Sequence, residues 1–204
     1  MNARNFDKLM QQQISEICGN GNGGKKPSLL LHCCCAPCSS ACLERLKEFF
    51  EITVLFYNPN IESVEYERRK AEIIRFITET GWADFSDCDH NQNEFYSAVR
   101  GLENCKEGGK RCAKCFELRL ARTAELADKG GYGFFTTTLT ISPLKNAVLI
   151  NEIGESLQKN AKWLYSDFKK RNGYLNSTKL SKQYNLYRQN YCGCVFSRRE
   201  SEKS

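Results

Sequence analysis

The chain has 204 residues, twelve of them cysteine, and a formal net charge of +6. That length suits one domain, or one domain with an appendage, and it buries an adequate core without disulfide staples. No run approaches the roughly 20 apolar residues of a membrane span, and the first 26 residues lack an apolar secretory region, so a reducing, cytoplasmic setting and no membrane partner are expected.

In chain order, residues 5–18 read as a short helix, followed by the flexible Gly/Asn-rich run at 19–24. Leu29-Leu30-Leu31 centres a buried strand at 28–32, which runs straight into His32-Cys33-Cys34-Cys35-Ala36-Pro37-Cys38. A helix is expected at 39–50, with Ala41, Leu43, Leu46 and Phe50 packing. A β-branched and aromatic strand spans 52–57, and a helix spans 62–80 with Ile73, Ile74 and Ile77 on its buried stripe. Gly81 stops that helix, and a weak strand follows at 83–86. A short helix is expected at 95–102 and a long one at 113–129, packed through Phe116, Leu118, Leu120 and Leu126 and ended by Gly130-Gly131.

A strand at 133–137 comes next. Ser142-Pro143 carries the pattern of a helix start and predicts a helix over 142–157. A last strand at 163–165, a helix at 181–189 and the Cys192-Gly193-Cys194 tail complete the chain. Strands alternating with helices imply an α/β fold whose parallel sheet is covered on both faces. The expected organisation is a helix and linker at 1–27, an α/β core at 28–165, and a basic aromatic segment at 166–204.

Charge is unevenly spread: residues 159–204 carry a net +8 and the rest a net −2. Basic residues of this last quarter alternate with Phe168, Tyr174, Tyr184, Tyr187, Tyr191 and Phe196. Basic side chains neutralise phosphates, and aromatic rings stack on unpaired bases. A solvated Lys-rich surface accounts for the charge equally well.

Eight cysteines fall into three groups: Cys33, Cys34, Cys35 and Cys38; Cys112 and Cys115; Cys192 and Cys194. Adjacent cysteines cannot all face one core, because side chains of a strand alternate between faces. Cys112 and Cys115 form a CxxC at a helix start, where free N–H groups and the helix dipole favour thiolate. Cys35 and Cys38 form another, in the place of a thioredoxin-like dithiol. The 73 residues between Cys38 and Cys112 exceed the usual spacing of paired zinc knuckles, about 15–20. A zinc site assembled from distant segments and an iron–sulfur cluster both remain open. Cys192-Gly193-Cys194 reads as an exchangeable redox pair or as two more metal ligands. Cys33 and Cys42 read as packing residues, His32 as a local hydrogen-bonding group, and Arg68 and Arg69 as structural ion-pair partners. Three functions fit these residues: an iron–sulfur reductase, a dithiol oxidoreductase using Cys35 and Cys38, and a zinc-stabilised RNA-binding module.

The stretches LLLHCCCAPCS, FYNPNIESVEYERR, EGGKRCAKCFELRL, TTTLTISPLKN and LYRQNYCGCVFS, spread from Leu29 to Ser197, resemble the cobalamin-independent epoxyqueuosine reductases of the QueH type. The resemblance implies a HUP-like (adenine nucleotide α-hydrolase-like) α/β fold with a basic C-terminal helical extension. It implies reduction of epoxyqueuosine to queuosine at the tRNA wobble position, the last step of that biosynthesis. It further implies a [4Fe-4S] cluster on Cys34, Cys35, Cys112 and Cys115, and a redox-active disulfide between Cys192 and Cys194. Cys38 is the expected contributor to a second, mononuclear iron. The expected partners are an electron donor and a tRNA whose anticodon loop carries epoxyqueuosine. Lys169, Lys170, Arg171, Lys179, Lys182 and Arg188 are the expected contacts to that loop.

Overall fold

A computed structural model describes residues 4–19 and 25–202. Of the expected linker at 19–24, Gly19 closes the first helix and residues 20–24 lie outside the described residues. Five parallel strands form one sheet: β1 Ser28–His32, β2 Glu51–Leu55, β3 Asp84–Ser86, β4 Phe134–Thr137 and β5 Lys162–Trp163. Their order is β3-β2-β1-β4-β5. The chain builds outward from β1 on one side, then returns to add β4 on the other. The strand order therefore reverses between β1 and β4, and the crevice at their carboxyl ends is where open α/β sheets bind ligands.

The apolar run of β1 is buried on both faces, as a central parallel strand requires. Leu29 and Leu31 join one apolar cluster and Leu30 the other. The first cluster is covered by α1 Phe6–Gly19, α2 Ala36–Leu46, α3 Ser63–Thr80 and α7 Gly173–Gln183, through residues such as Met10, Leu43, Ile73 and Leu180. The second is covered by α5 Lys110–Lys129 and α6 Ala147–Leu157, through Phe116, Leu120 and Ile150. Two short helices remain, α4 Gln92–Ala98 and α8 Val195–Ser201. No helix among the described residues is long and apolar enough to cross a membrane.

Four expectations are corrected. Helix α2 starts at Ala36 rather than 39, because Pro37 fits a first helical turn, where its missing N–H costs nothing. Cys35 is thus the extended N-cap and Cys38 lies in the first turn. Helix α6 starts at Ala147, not at 142. The stretch after β4 forms a 3₁₀ turn at Thr138–Ile141, and Asn146 caps α6 by accepting from the Val148 and Leu149 N–H groups at 3.0 and 3.2 Å.

The helix expected at 181–189 lies earlier, at Gly173–Gln183. It begins at a left-handed turn at Asn172 (φ 60°), where a Cβ on Gly173 would sit 1.8 Å from the Phe168 carbonyl oxygen. On α3, Ile73 and Ile77 are buried with Phe76, whereas Ile74 is 37% exposed.

Candidate active site

Two thiol groups face one cavity of about 810 Å³, a size typical of ligand pockets. Cys34 lines it from just past the end of β1, Cys38 from the first turn of α2, and Cys192 from the chain after α7.

The first group is placed by backbone. Past the last residue of β1, the Cys33 N–H still bonds to the Leu55 carbonyl at 2.9 Å, and the Asn58 Nδ2 donates to the Cys33 carbonyl at 2.8 Å. The Cys35 carbonyl accepts from the Ser39 N–H at 3.2 Å and from its hydroxyl at 2.7 Å. The chain therefore turns directly from strand to helix. The sulfurs of Cys34, Cys35 and Cys38 lie within 4.8 Å of one another, close enough to hold one metal ion. Hydrogen bonds from Cys35 and Cys38 hold the Cys34 thiol well below its ordinary pKa, helped by Arg119 and Lys145. Its two neighbours are raised, because hydrogen bonding with Cys34 favours their protonated forms. Cys33 points into the apolar core and Cys42 packs beside it; burial pushes both thiols up. They are packing residues, as expected.

Helix α5 supplies Cys112 in its first turn and Cys115 one turn on. Both fall outside the tight sulfur trio. Cys112 packs against the cluster that contains Cys34 and Cys35, and Cys115 packs with Phe95, Val99 and Cys194. Burial raises both thiols, against the helix-start preference and against the Gly108 N–H that donates to the Cys112 sulfur at 3.2 Å.

A fully buried cation sits between these cysteines. Arg119 Nη2 donates to Asn58 Oδ1 at 2.6 Å, and its Nε donates to His32 Nε2 at 3.2 Å. His32 Nδ1 lies 2.8 Å from the Thr137 hydroxyl, so the ring joins the ends of β1 and β4. Burial, then Arg119, lowers the His32 pKa to about 3, which keeps the ring neutral. Burial opposes the charge of Arg119, yet the Cys115 and Cys34 thiols hold its pKa above the ordinary value. Its Nη1 has no hydrogen-bond partner among the described residues. Lys145, half-buried in the loop before α6, lines the same cavity. Burial opposes its charge too, and Cys192 and Cys34 overcome that effect. Sequence reasoning missed Arg119 and Lys145, although both lie in the recognised motifs.

Cys192 and Cys194 are free thiols. Cys192 is half-buried beside the cavity; Cys194 is buried and caps α8, its sulfur accepting from the Ser197 N–H at 3.4 Å. Burial raises the Cys194 thiol. On α5, buried Arg111 pairs with Glu200 at 2.9 Å and holds α8 in place. Glycine is required between the two cysteines: Gly193 has φ +126°, and a Cβ there would lie 2.9 Å from Ile61 Cγ1.

The six basic residues expected to meet nucleic acid divide. Arg188 lines the cavity, stacks on the Tyr174 ring at 5.4 Å and donates to its hydroxyl at 3.1 Å. Lys170, Lys179 and Lys182 are exposed. Lys169 is paired with Asp167 at 2.9 Å and Arg171 with Asp7 at 3.0 Å. Arg69 is an ion-pair partner as expected, 2.6 Å from Glu65, while Arg68 stacks on Tyr187.

An open parallel sheet carries at its switch point three thiols close enough to hold one metal ion, and Cys192 lines the same cavity. The family model described as epoxyqueuosine reductase QueH matches residues 29–200. The epoxyqueuosine reductase QueH of Streptococcus pyogenes serotype M1 is 44% identical, over 95% of this chain and 78% of its own. That of Staphylococcus epidermidis is 41% identical, over 95% and 84%, and that of Thermotoga maritima 37%, over 83% and 90%. The chain belongs to the epoxyqueuosine reductase QueH family, a family of oxidoreductases in queuosine biosynthesis.

Proposed function

We propose that this protein reduces epoxyqueuosine to queuosine at the wobble position of tRNA in the cytoplasm. The observation that carries the reading, beside family membership, is that Cys34, Cys38 and Cys192 line one cavity. Removing an epoxide oxygen to leave an alkene takes two electrons and two protons and releases water. A dithiol passing to a disulfide supplies both electrons and both protons, so Cys192 and Cys194 balance one turnover. A separate electron donor must then reduce them again.

The residues fit an iron–sulfur group. A buried guanidinium with an unpartnered Nη1, set among Cys34, Cys115 and Cys192, suits an anionic neighbour. Cys34, Cys35, Cys112 and Cys115 would hold the [4Fe-4S] cluster, leaving Cys38 for a mononuclear iron. Bound there, these groups would supply electrons singly and a Lewis-acidic position for oxygen. The chain's own residues do the rest. Arg119 and Lys145 offset the negative charge of the thiolates. Lys145 presents an ammonium to the cavity, where the departing oxygen gathers charge. Tyr174 and Arg188 offer a face on which an unpaired base of the anticodon loop stacks, and Lys170, Lys179 and Lys182 lie open to phosphate.

The deciding measurement is mass spectrometry of nucleosides after incubating anaerobically purified protein with epoxyqueuosine-tRNA and a reductant. Queuosine is the expected product. Unchanged epoxyqueuosine, with protein that contains its iron, would overturn the reading.

A further inference from the structure

The Cys192–Cys194 pair is held by the side chains of one helix. From Tyr184 to Cys194 the chain crosses α3 as a strap without regular structure. Arg75 Nη2 donates to the Tyr184 carbonyl at 2.9 Å. Glu72 Oε1 accepts from the Tyr187 N–H at 2.7 Å, and Glu65 Oε2 from the Tyr187 hydroxyl at 3.1 Å. The Arg68 guanidinium lies 3.4 Å from the centre of the Tyr187 ring. Residues 65, 68, 69, 72 and 75 recur at three- and four-residue steps and so share one face of α3.

Arg69 ends this ladder at the thiols. It is 1% exposed, and its Nε donates to Glu65. Its Nη1 donates to the Cys192 carbonyl at 3.0 Å and its Nη2 to the Tyr191 carbonyl at 3.4 Å. A Cβ on Gly193 would lie 3.0 Å from that Nη1, so the loop is pressed against the guanidinium. The charge of Arg69 also acts on Cys35 and Cys34 of the other thiol group.

We propose that Arg69, set by Glu65, is the positioning residue for the Cys192–Cys194 pair: its two-pronged grip on the Tyr191 and Cys192 carbonyls fixes Cys192 at the cavity wall. The fork is required. A lysine keeps the charge but offers a single point of attachment. The consequence for redox behaviour rests on the reading of Cys192 and Cys194 as an exchanging dithiol. The placement itself does not.

The test compares anaerobically purified wild type, Arg69→Gln, Arg69→Lys and the milder Glu65→Gln. One readout is the rate at which iodoacetamide alkylates Cys192, resolved by peptide mass spectrometry. The other is the dithiol–disulfide midpoint of the pair in glutathione buffers. Arg69→Gln is expected to alkylate at Cys192 about tenfold faster and to shift the midpoint by about 30 mV, a tenfold change in the equilibrium constant. Arg69→Lys should resemble Arg69→Gln, and Glu65→Gln should fall between wild type and both. Iron content should stay at the wild-type level throughout.

Wild-type rates in Arg69→Gln, or full recovery by lysine, would overturn the proposal. If Arg69→Gln does not fold, unchanged alkylation in Glu65→Gln overturns it, because Glu65 is what sets the guanidinium. Should the wild type form no Cys192–Cys194 disulfide in any buffer, the redox reading fails, and the alkylation rates still decide the positioning.

Discussion

The two thiol groups reach one cavity by different means. Cys34, Cys35 and Cys38 follow β1 without a break. Their backbone continues the strand's hydrogen bonding at Cys33 and caps α2 at Cys35, with apolar layers on both sides. Cys192 and Cys194 sit on a strap whose regular hydrogen bonding stops at α7 and resumes at α8. That strap is fixed by charged side chains from α3. Position in the first group is a property of the sheet. Position in the second is a property of a few side chains. On the proposed function, a metal gains from the rigid frame, and the exchanging pair is held by side chains that can be altered one at a time.

The sharpest way to break that comparison is to exchange the roles of the sulfurs. Anaerobically purified Cys112→Ser plus Cys115→Ser should lack the broad iron–sulfur absorbance, as should Cys34→Ser. Cys192→Ser should keep its iron and colour yet lose multiple turnover. If the Cys112/Cys115 variant keeps its cluster absorbance, the proposed ligand set is wrong. If Cys192→Ser turns over as the wild type does, the strap has no redox role.

Next in size is Arg119→Leu. It strips a buried hydrogen-bond donor from Asn58 and His32 and a guanidinium set among Cys115, Cys34 and Cys192. Breaking such a buried charged network costs about 3–5 kcal/mol, read by denaturant unfolding. Arg68→Leu on the strap side, where the guanidinium is exposed and stacks on Tyr187, should cost about 1 kcal/mol. Equal losses would mean that the two regions are held alike.

A smaller effect separates the basic residues. Lys170→Ala, Lys179→Ala and Lys182→Ala should each lower the salt slope of tRNA binding by about 1. Lys169→Ala and Arg171→Ala should lower it less, because those cations already neutralise Asp167 and Asp7. Identical slopes for all five variants would contradict the division.

The frame was legible in the sequence and the mount was not. Leu29 to Leu31 announced β1 at its observed bounds, and Gly81, left-handed at φ 63°, ended α3 where expected. Cys34, Cys35 and Cys38 stood out because an apolar run ends in them. The helix starts at Ala147 and Gly173 were misplaced for one reason. Local signals compete, and neighbours decide: Ser142-Pro143 yields to the Asn146 cap, and the aromatic run at 184–191 packs on α3 instead of coiling. Arg119 and Lys145 look like ordinary surface cations in the chain, and Arg69 reads there only as an ion-pair partner. Their meaning depends on which elements meet, and no local pattern records that.

The last prediction concerns how the mount responds to acid. Hydrogen bonding from Arg75 holds the Glu72 carboxyl below its ordinary pKa of 4.5, against a smaller opposing effect of burial and with help from the Tyr187 N–H. A carboxylate whose pKa is depressed by folding stabilises the folded state above its unfolded pKa and loses that contribution as pH falls through the folded value. Wild type should therefore exceed Glu72→Gln in stability at pH 7 by about 1 kcal/mol, the worth of a charged hydrogen bond at a partly exposed site. That margin should shrink once the pH drops below 4.5. Paired unfolding curves across this range measure it. A constant margin would mean that Glu72 holds the strap by shape rather than by charge, and the mount would then resemble the frame more closely than its contacts imply.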